Sequence, residues 1–404
     1  MDCLGEIRYL KATMQTTYCF HLGREQDLSE LELRAVFGPN IKRHGDMALL
    51  DHEPFANAKT VLDGLGGCIK LSEVWAESET QEAMVKGMAD RLIELLPEGK
   101  MIFGLSVFPQ DERFLKNILK KIKLELREHG RNGRFLNQMG NLTSAVIEKG
   151  GLLRTMTDFN ILKVEGKILI SQTLAVQDFA GYSLRDYEKP VRLAKQGMLP
   201  PKLAQMMINL AGLATKEINF EGKTLYDPFC GSGTILGEAI LKGMNVIGSD
   251  RDPIAMDAAQ KNLNWFKQTP FFAEKGAADR NVDLFIADAT ELTKKDLPTP
   301  PDLVVSETYL GPPMHMSMPE ADIFKTHSKL LGLYEHMLRT LHPLLKPGTP
   351  LVFAFPIHYT YKNTFPINGL KAMIGTCGYT VHHAVRYHRQ DQAVGREIFV
   401  LELT

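Results

Sequence analysis

Asp227-Pro228-Phe229-Cys230-Gly231-Ser232-Gly233-Thr234 is the stretch on which the fold turns. It follows a short strand-like run, Thr224–Tyr226, and leads into helical patterning through Lys242. A strand that ends in a glycine-rich turn and feeds a helix is how doubly wound sheets meet a ligand. Gly231 and Gly233 let the backbone turn tightly and approach a ligand with no Cβ in the way. The helix start beyond them offers free N–H groups.

The spacing is not that of a dinucleotide G-x-G-x-x-G, because Gly237 arrives one residue late. Asp227, just before the glycines, repels a pyrophosphate and suits a cationic ligand part such as the amino group of a methionine moiety. The expected cofactor is therefore S-adenosyl-L-methionine rather than NAD. Asp250 closes the next strand, in Ile247-Gly248-Ser249-Asp250, and is placed to accept both ribose hydroxyls. Such a charged hydrogen bond contributes roughly 1.5–3 kcal/mol. Asp288, in Ala287-Asp288-Ala289 after a third strand, is placed to accept from an adenine amino group.

Outward from this centre, strands are expected at Thr224–Tyr226, Asn245–Gly248, Leu284–Ala287, Leu303–Ser306 and Leu351–Phe355. Two more, Tyr379–Tyr387 and Arg396–Leu403, are expected to pair antiparallel. Repeated βα units predict an α/β fold, a mostly parallel seven-stranded Rossmann-like sheet with helices on both faces. The first 180 residues read differently, as α+β. Tyr18–Leu22 leads into helical Leu28–Leu33, Met101–Phe108 precedes a helix near Arg113–Arg127, and Phe159–Val164 with Lys167–Thr173 form a hairpin around Glu165-Gly166. Between the halves, Arg185–Lys202 is rich in Arg, Lys, Pro and Gly, a linker composition, with a helix expected from Pro201 to Leu213.

The whole chain of 404 residues is long for one domain, and its 44% apolar and 24% charged residues are globular values. A net charge of -1 offers no global attraction to a polyanion, so any nucleic-acid case rests on local patches. One exists between Arg113 and Arg134, where eight basic residues face two glutamates. Lys116, Lys120, Lys123 and Arg127 share one helix face, a phosphate track, with Phe114, Ile118, Ile122 and Leu126 as the buried side. The five cysteines are scattered with no C-x-x-C pair, which excludes a disulfide framework or zinc site and suits a reducing cytosol. No apolar run reaches the roughly 18 residues of a membrane span, so a soluble cytoplasmic protein is expected.

Asp227–Thr234 resembles the D-P-F-C-G-S-G-T motif of the THUMP-containing RNA methyltransferases. Arg185-Asp186 and Gly197-Met198-Leu199-Pro200-Pro201-Lys202-Leu203-Ala204 look like the segment joining the RNA-binding and catalytic parts of that family, and Asn141–Ala145 more loosely like the THUMP core. The combination is most similar to the tRNA guanosine N2-methyltransferases acting at position 10. This resemblance implies a ferredoxin-like region over 1–95, a THUMP domain gripping tRNA over 96–182, a linker and first helix over 183–215, and a methyltransferase domain over 216–404. It implies tRNA as partner, leaves room for an activating protein subunit, and gives Asp227, Phe229, Gly231, Gly233, Thr234, Asp250 and Asp288 cofactor-binding roles. Gly197 and Pro200 would lie near the methionine end.

The fourth strand departs from the family's D-P-P-Y or N-P-P-Y and reads Ser306-Glu307-Thr308-Tyr309. An exocyclic amine is a poor nucleophile while its lone pair is delocalised into the ring. Acceptors for its N–H groups favour a more tetrahedral nitrogen and aim the lone pair at the methyl, while an aromatic residue stacks on the extruded base. Tyr309 keeps that aromatic role, Ser306 stands at the first acceptor position, and Glu307 is the one carboxylate of the segment, as acceptor of the amine or of its proton. Arg396-Glu397 is expected as a cross-strand ion pair. Two other readings remain at this point: an amino-methyltransferase for DNA or ribosomal RNA, and a catalytically silent protein that binds cofactor and RNA.

Overall fold

The computed structural model describes residues 7–10, 15–137, 140–192, 199–215, 219–274 and 276–404. The chain divides into two compact units, one of Met1–Glu30 with Pro39–Ala180, the other of Leu31–Gly38 with Gly181–Thr404.

In the first unit one sheet takes strands from the whole segment, in the order Lys42–His44, Met47–His52, Thr16–Leu22, Cys68–Ser78, Lys167–Val176, Asp158–Val164, Met101–Phe108 and Gly133–Phe135. The expected hairpin turns on Glu165 and Gly166, both at positive φ, the geometry that matches strand twist in a two-residue loop. The helix Glu112–Glu128 (α1) starts on Asp111, whose carboxylate accepts the Phe114 N–H. Its buried stripe is Leu115, Ile118, Leu119, Ile122 and Leu126, packed on Met101, Phe103 and Leu105. Phe114 is only partly buried and lies 3.5 Å from the Lys163 ammonium, so Leu115 and Leu119 take the place the sequence reading gave it.

The second unit carries seven main strands: β1 Thr224–Asp227, β2 Asn245–Asp250, β3 Val282–Ile286, β4 Leu303–Glu307, β5 Pro350–Tyr359, β6 Tyr379–Tyr387 and β7 Val394–Leu403. Their order is β3-β2-β1-β4-β5-β7-β6, and a two-residue strand, Thr364–Phe365, adds to β5. The first five run parallel, β7 is antiparallel to β5, and β6 pairs antiparallel with β7. The order reverses on either side of β1, so the crevice beyond β1 and β4 is the place for a ligand. Residues decide which strands are central: β5 is apolar and buried almost throughout, whereas the edge strands β3 and β6 alternate exposed and polar positions. Phe353 and Phe355 are fully buried beside Tyr226, Tyr334 and Phe399. Each such phenylalanine contributes roughly 1.5–3 kcal/mol.

Helices Pro201–Leu210 (α2), Thr234–Leu241 (α3), Pro253–Gln268 (α4) and Glu320–Leu341 (α5) belong to this unit. The helix expected to reach Leu213 stops at Leu210, and a short turn of helix, Gly212–Thr215, follows. Among the described residues no helix is long and apolar enough to cross a membrane.

Candidate active site

The turn after β1 is built as its glycines require. Gly231 has φ +52° and Gly233 φ +82°, the left-handed region that side chains avoid, and a Cβ on Gly231 would meet almost nothing of the protein. The space above it is left for a ligand. Gly233 caps α3. Under the turn Asp227 is buried, accepting the Phe229 N–H at 3.1 Å and the Ser306 hydroxyl at 2.6 Å on the same oxygen. Its carboxyl is pushed up to about 8, chiefly by burial, with these two donors pulling against the rise and the carboxylates of Asp250 and Glu307 adding to it. A buried acid in that state is a poor resident alone and a good partner for a cation.

Asp250, at the end of β2, accepts the Gly231 N–H at 3.1 Å and the Asp252 N–H at 3.0 Å, one on each oxygen. A carboxylate has about four acceptor positions, so room remains for ribose hydroxyls. Partial burial raises its carboxyl above the usual range. Asp288 accepts both the N–H and the hydroxyl of Thr290 on one oxygen, which hold its carboxyl low. Its other oxygen lies 3.9 Å from Arg251.

At the end of β4, alternation sends neighbouring side chains to opposite faces. Ser306, expected as an acceptor for a substrate amine, is fully buried and donates its hydroxyl to Asp227. Glu307 lines the cavity and pairs with Arg396 of β7, Nε to Oε1, at 2.7 Å. Thr308 donates its hydroxyl to the Ala354 carbonyl, and Tyr334 of α5 donates to the Tyr309 carbonyl at 2.7 Å, which pins the loop's backbone. The Tyr309 side chain stays 44% exposed, with the Arg251 guanidinium 5.8 Å from its ring centroid. It is presented, not packed.

One cavity of about 730 Å³ joins these groups, a volume with room for a cofactor and a base. Of the residues predicted from sequence, Pro200, Phe229, Gly231, Asp250, Asp288, Glu307 and Tyr309 line it, and Asp227 and Ser306 lie buried beneath. Gly311, Pro312 and Pro313 form part of its wall. Gly197 lies outside the described residues.

Gly233 and Thr234 sit apart, beside a small cavity shared with Arg185, Lys189 and Asn262. Here the linker braces the glycine turn. Lys189 donates to the Thr234 hydroxyl at 3.2 Å, while Asn262 of α4 donates to the Ser232 and Val191 carbonyls and accepts the Val191 N–H. Arg185 and Glu238, both buried, pair at 2.8 Å.

The sequence reading noticed Arg389 and Arg396 near the last strands but not Asp391 and Gln392; all four line the cavity. It also paired Arg396 with Glu397. Consecutive strand residues face opposite ways, so Glu397 meets Arg386 across the β6–β7 ladder at 3.3 Å and Arg396 turns to Glu307. The period of two predicts that divergence; the partner two strands away leaves no trace in the sequence.

The RMKL-like methyltransferase domain family, UPF0020, matches residues 190–306. The chain is similar to a tRNA (guanine(10)-N2)-dimethyltransferase of Methanothermobacter thermautotrophicus, 30% identical over 131 residues, 31% of this chain and 37% of that protein. It is also similar to the enzyme of that name from Methanocaldococcus jannaschii, 34% identical over 130 residues, covering 28% of this chain and 34% of that one. The matched stretch thus spans little more than a third of these curated relatives. A type II methyltransferase of Kocuria varians, M.MvaI, is 43% identical over 58 residues, 14% of this chain and 12% of that one. Among solved structures, TrmN from Thermus thermophilus is similar in fold, with a TM-score of 0.52 at 18% identity over 96% of this chain and all of that one. With the strand order, the glycine turn and the acidic strand ends already in place, the second unit is similar in sequence, over residues 190–306, to the methyltransferase domain of the RMKL-like family.

Proposed function

We propose that the protein methylates the exocyclic N2 amine of a guanine in tRNA. The observation that carries this reading is the placement of Asp227, Asp250 and Asp288 at three successive strand ends around one cavity, with Glu307 and Tyr309 at the fourth. The names of the archaeal relatives support guanine N2 and tRNA.

The residues fit S-adenosylmethionine. Asp227 answers the amino group of its methionine part, the open space over Gly231 takes its backbone approach, Asp250 accepts the ribose hydroxyls and Asp288 the adenine amine. Phe229 and Pro200 flank it, and Gly233 and Thr234 shape the turn from behind. When bound, the cofactor would supply an electrophilic methyl group, and the amine nitrogen that took it would give up a proton, with Glu307 placed to accept it.

Tyr309 stacks on the extruded base, as aromatic residues do with unpaired bases. Glu307 accepts an N–H of the amine and aims its lone pair. Ser306 serves indirectly, by holding Asp227.

Residues 1–182, of which all but 31–38 and 181–182 fall in the first unit, are proposed as the RNA grip, with a ferredoxin-like part over 1–95 and a THUMP part over 96–182. On α1, Lys116, Lys120 and Arg127 are exposed. Several members of the basic cluster are engaged: Lys116 lies 4.0 Å from Glu112, Lys121 pairs with Glu82, Lys123 lies over the Phe135 ring, and Arg131 donates to the carbonyls of Leu96 and Pro97. The track available to phosphates is thus narrower than the cluster. The likeness to a type II methyltransferase favours a second reading, an amine in DNA.

Incubation with methyl-labelled S-adenosylmethionine, unmodified tRNA transcripts and competing DNA, followed by nucleoside mass spectrometry, tests this. Label in N2-methylguanosine is expected. Label only in DNA would favour the second reading, and no transfer despite binding of cofactor and RNA would leave a silent binding protein.

A further inference from the structure

Glu307 brings a third carboxylate to the neighbourhood of Asp227 and Asp250, and the charges of Asp250 and Glu307 help to raise the Asp227 carboxyl. The fold answers the Glu307 carboxylate with one residue. Arg396 lies on β7, two strands from β4, a span of about 9.6 Å at the usual strand spacing. Register puts Ala354 of β5 beside Glu307 and Pro356 beside Arg396, on the same face of the sheet. Those compact side chains leave the path along which the guanidinium reaches Glu307. The pair is nearly enclosed, the side chains 8% and 16% exposed, yet both line the cavity.

We infer that Arg396 is a positioning residue for methyl transfer: its guanidinium fixes the Glu307 carboxylate at the cavity wall, so that the acceptor meets the amine in one orientation. The inference rests on the reading of this cavity as the site of transfer to an exocyclic amine. Through the bond from Nε, Arg396 sets the direction of the carboxylate. A flexible ammonium lacks the planar fork that fixes direction.

The test uses the full-length protein. In Arg396→Ala, turnover on tRNA is expected to fall about 100-fold, the loss typical of a misplaced reacting group, with S-adenosylmethionine affinity and the RNA KM nearly unchanged. Added guanidinium should restore part of the rate, Arg396→Lys should lie between, and Arg396→Ala should cost little more in a Glu307→Gln background. Crystals of Arg396→Ala should show the Glu307 carboxylate displaced, a readout that needs no turnover. A folded Arg396→Ala with full turnover, or with its loss fully additive to Glu307→Gln, would overturn the inference, and so would an unmoved Glu307. If the wild type modifies no RNA but the carboxylate still moves, the reaction reading fails while the positioning stands.

Discussion

The Ser306 hydroxyl donates to Asp227 over 2.6 Å, tying the end of β4 to the end of β1 inside the protein. In the function proposed above, a residue expected at the substrate end is thereby a support of the cofactor end. Ser306→Ala removes a donor to a buried carboxyl, a loss of about 1–1.5 kcal/mol. We expect S-adenosylmethionine affinity to fall roughly tenfold while the rate from the saturated complex changes little. Calorimetric binding and single-turnover rates check this; a lower rate with unchanged affinity would return Ser306 to the amine.

Asp227 gives binding a pH dependence of fixed sign. With its folded value raised to about 8, chiefly by burial, the ligand-free protein holds a proton that the unfolded chain has lost. Its stability therefore declines as pH climbs from about 4 towards 8. A bound ammonium group favours the carboxylate, so binding at pH 7 expels a proton. Affinity should rise from pH 6 towards 8 and fall beyond, as an α-amino group of ordinary value, about 7.7–8.0, loses its own proton. Binding enthalpies measured in two buffers of different ionisation heat should differ at pH 7. Equal enthalpies, or a flat affinity between pH 6 and 8, would remove Asp227 from the amino group.

Much of this was legible before the fold. The seven strands follow from apolar runs and turns, and the Asp227–Thr234 turn from two glycines and an acid. The bond from Ser306 to Asp227 was not legible: a serine one position before Glu307 reads as an acceptor in its own right, and its partner 79 residues away leaves no trace in the sequence. Arg396 was hidden for another reason, since its partner is close only because β5 lies between β4 and β7. On α1 the period of the pattern was right and its phase partly wrong, with Leu115 and Leu119 buried where Phe114 was expected.

Tyr309 offers its ring to the cavity mouth. Stacking of one base on an aromatic side chain contributes roughly 1–3 kcal/mol. Tyr309→Ala should raise the RNA KM by about 10–100-fold, and Tyr309→Phe should stay near wild type. Equal defects in the two, measured by steady-state kinetics, would point to the hydroxyl and away from stacking.

Charge on α1 predicts a salt effect. Replacing Lys116, Lys120 and Arg127 together by alanine should weaken RNA binding and flatten the plot of log affinity against log salt by about 0.7–0.9 for each phosphate no longer neutralised. S-adenosylmethionine binding should not change. An unaltered slope in filter-binding titrations would mean that this face is merely solvated.

The division of labour between β1 and β4 is tested most directly by measuring cofactor affinity and methyl transfer side by side in Asp227→Ala and Glu307→Ala. The account predicts that Asp227→Ala no longer binds S-adenosylmethionine, and that Glu307→Ala binds it as the wild type does but transfers no methyl group. Normal turnover in Glu307→Ala, or loss of cofactor binding in both, would contradict it.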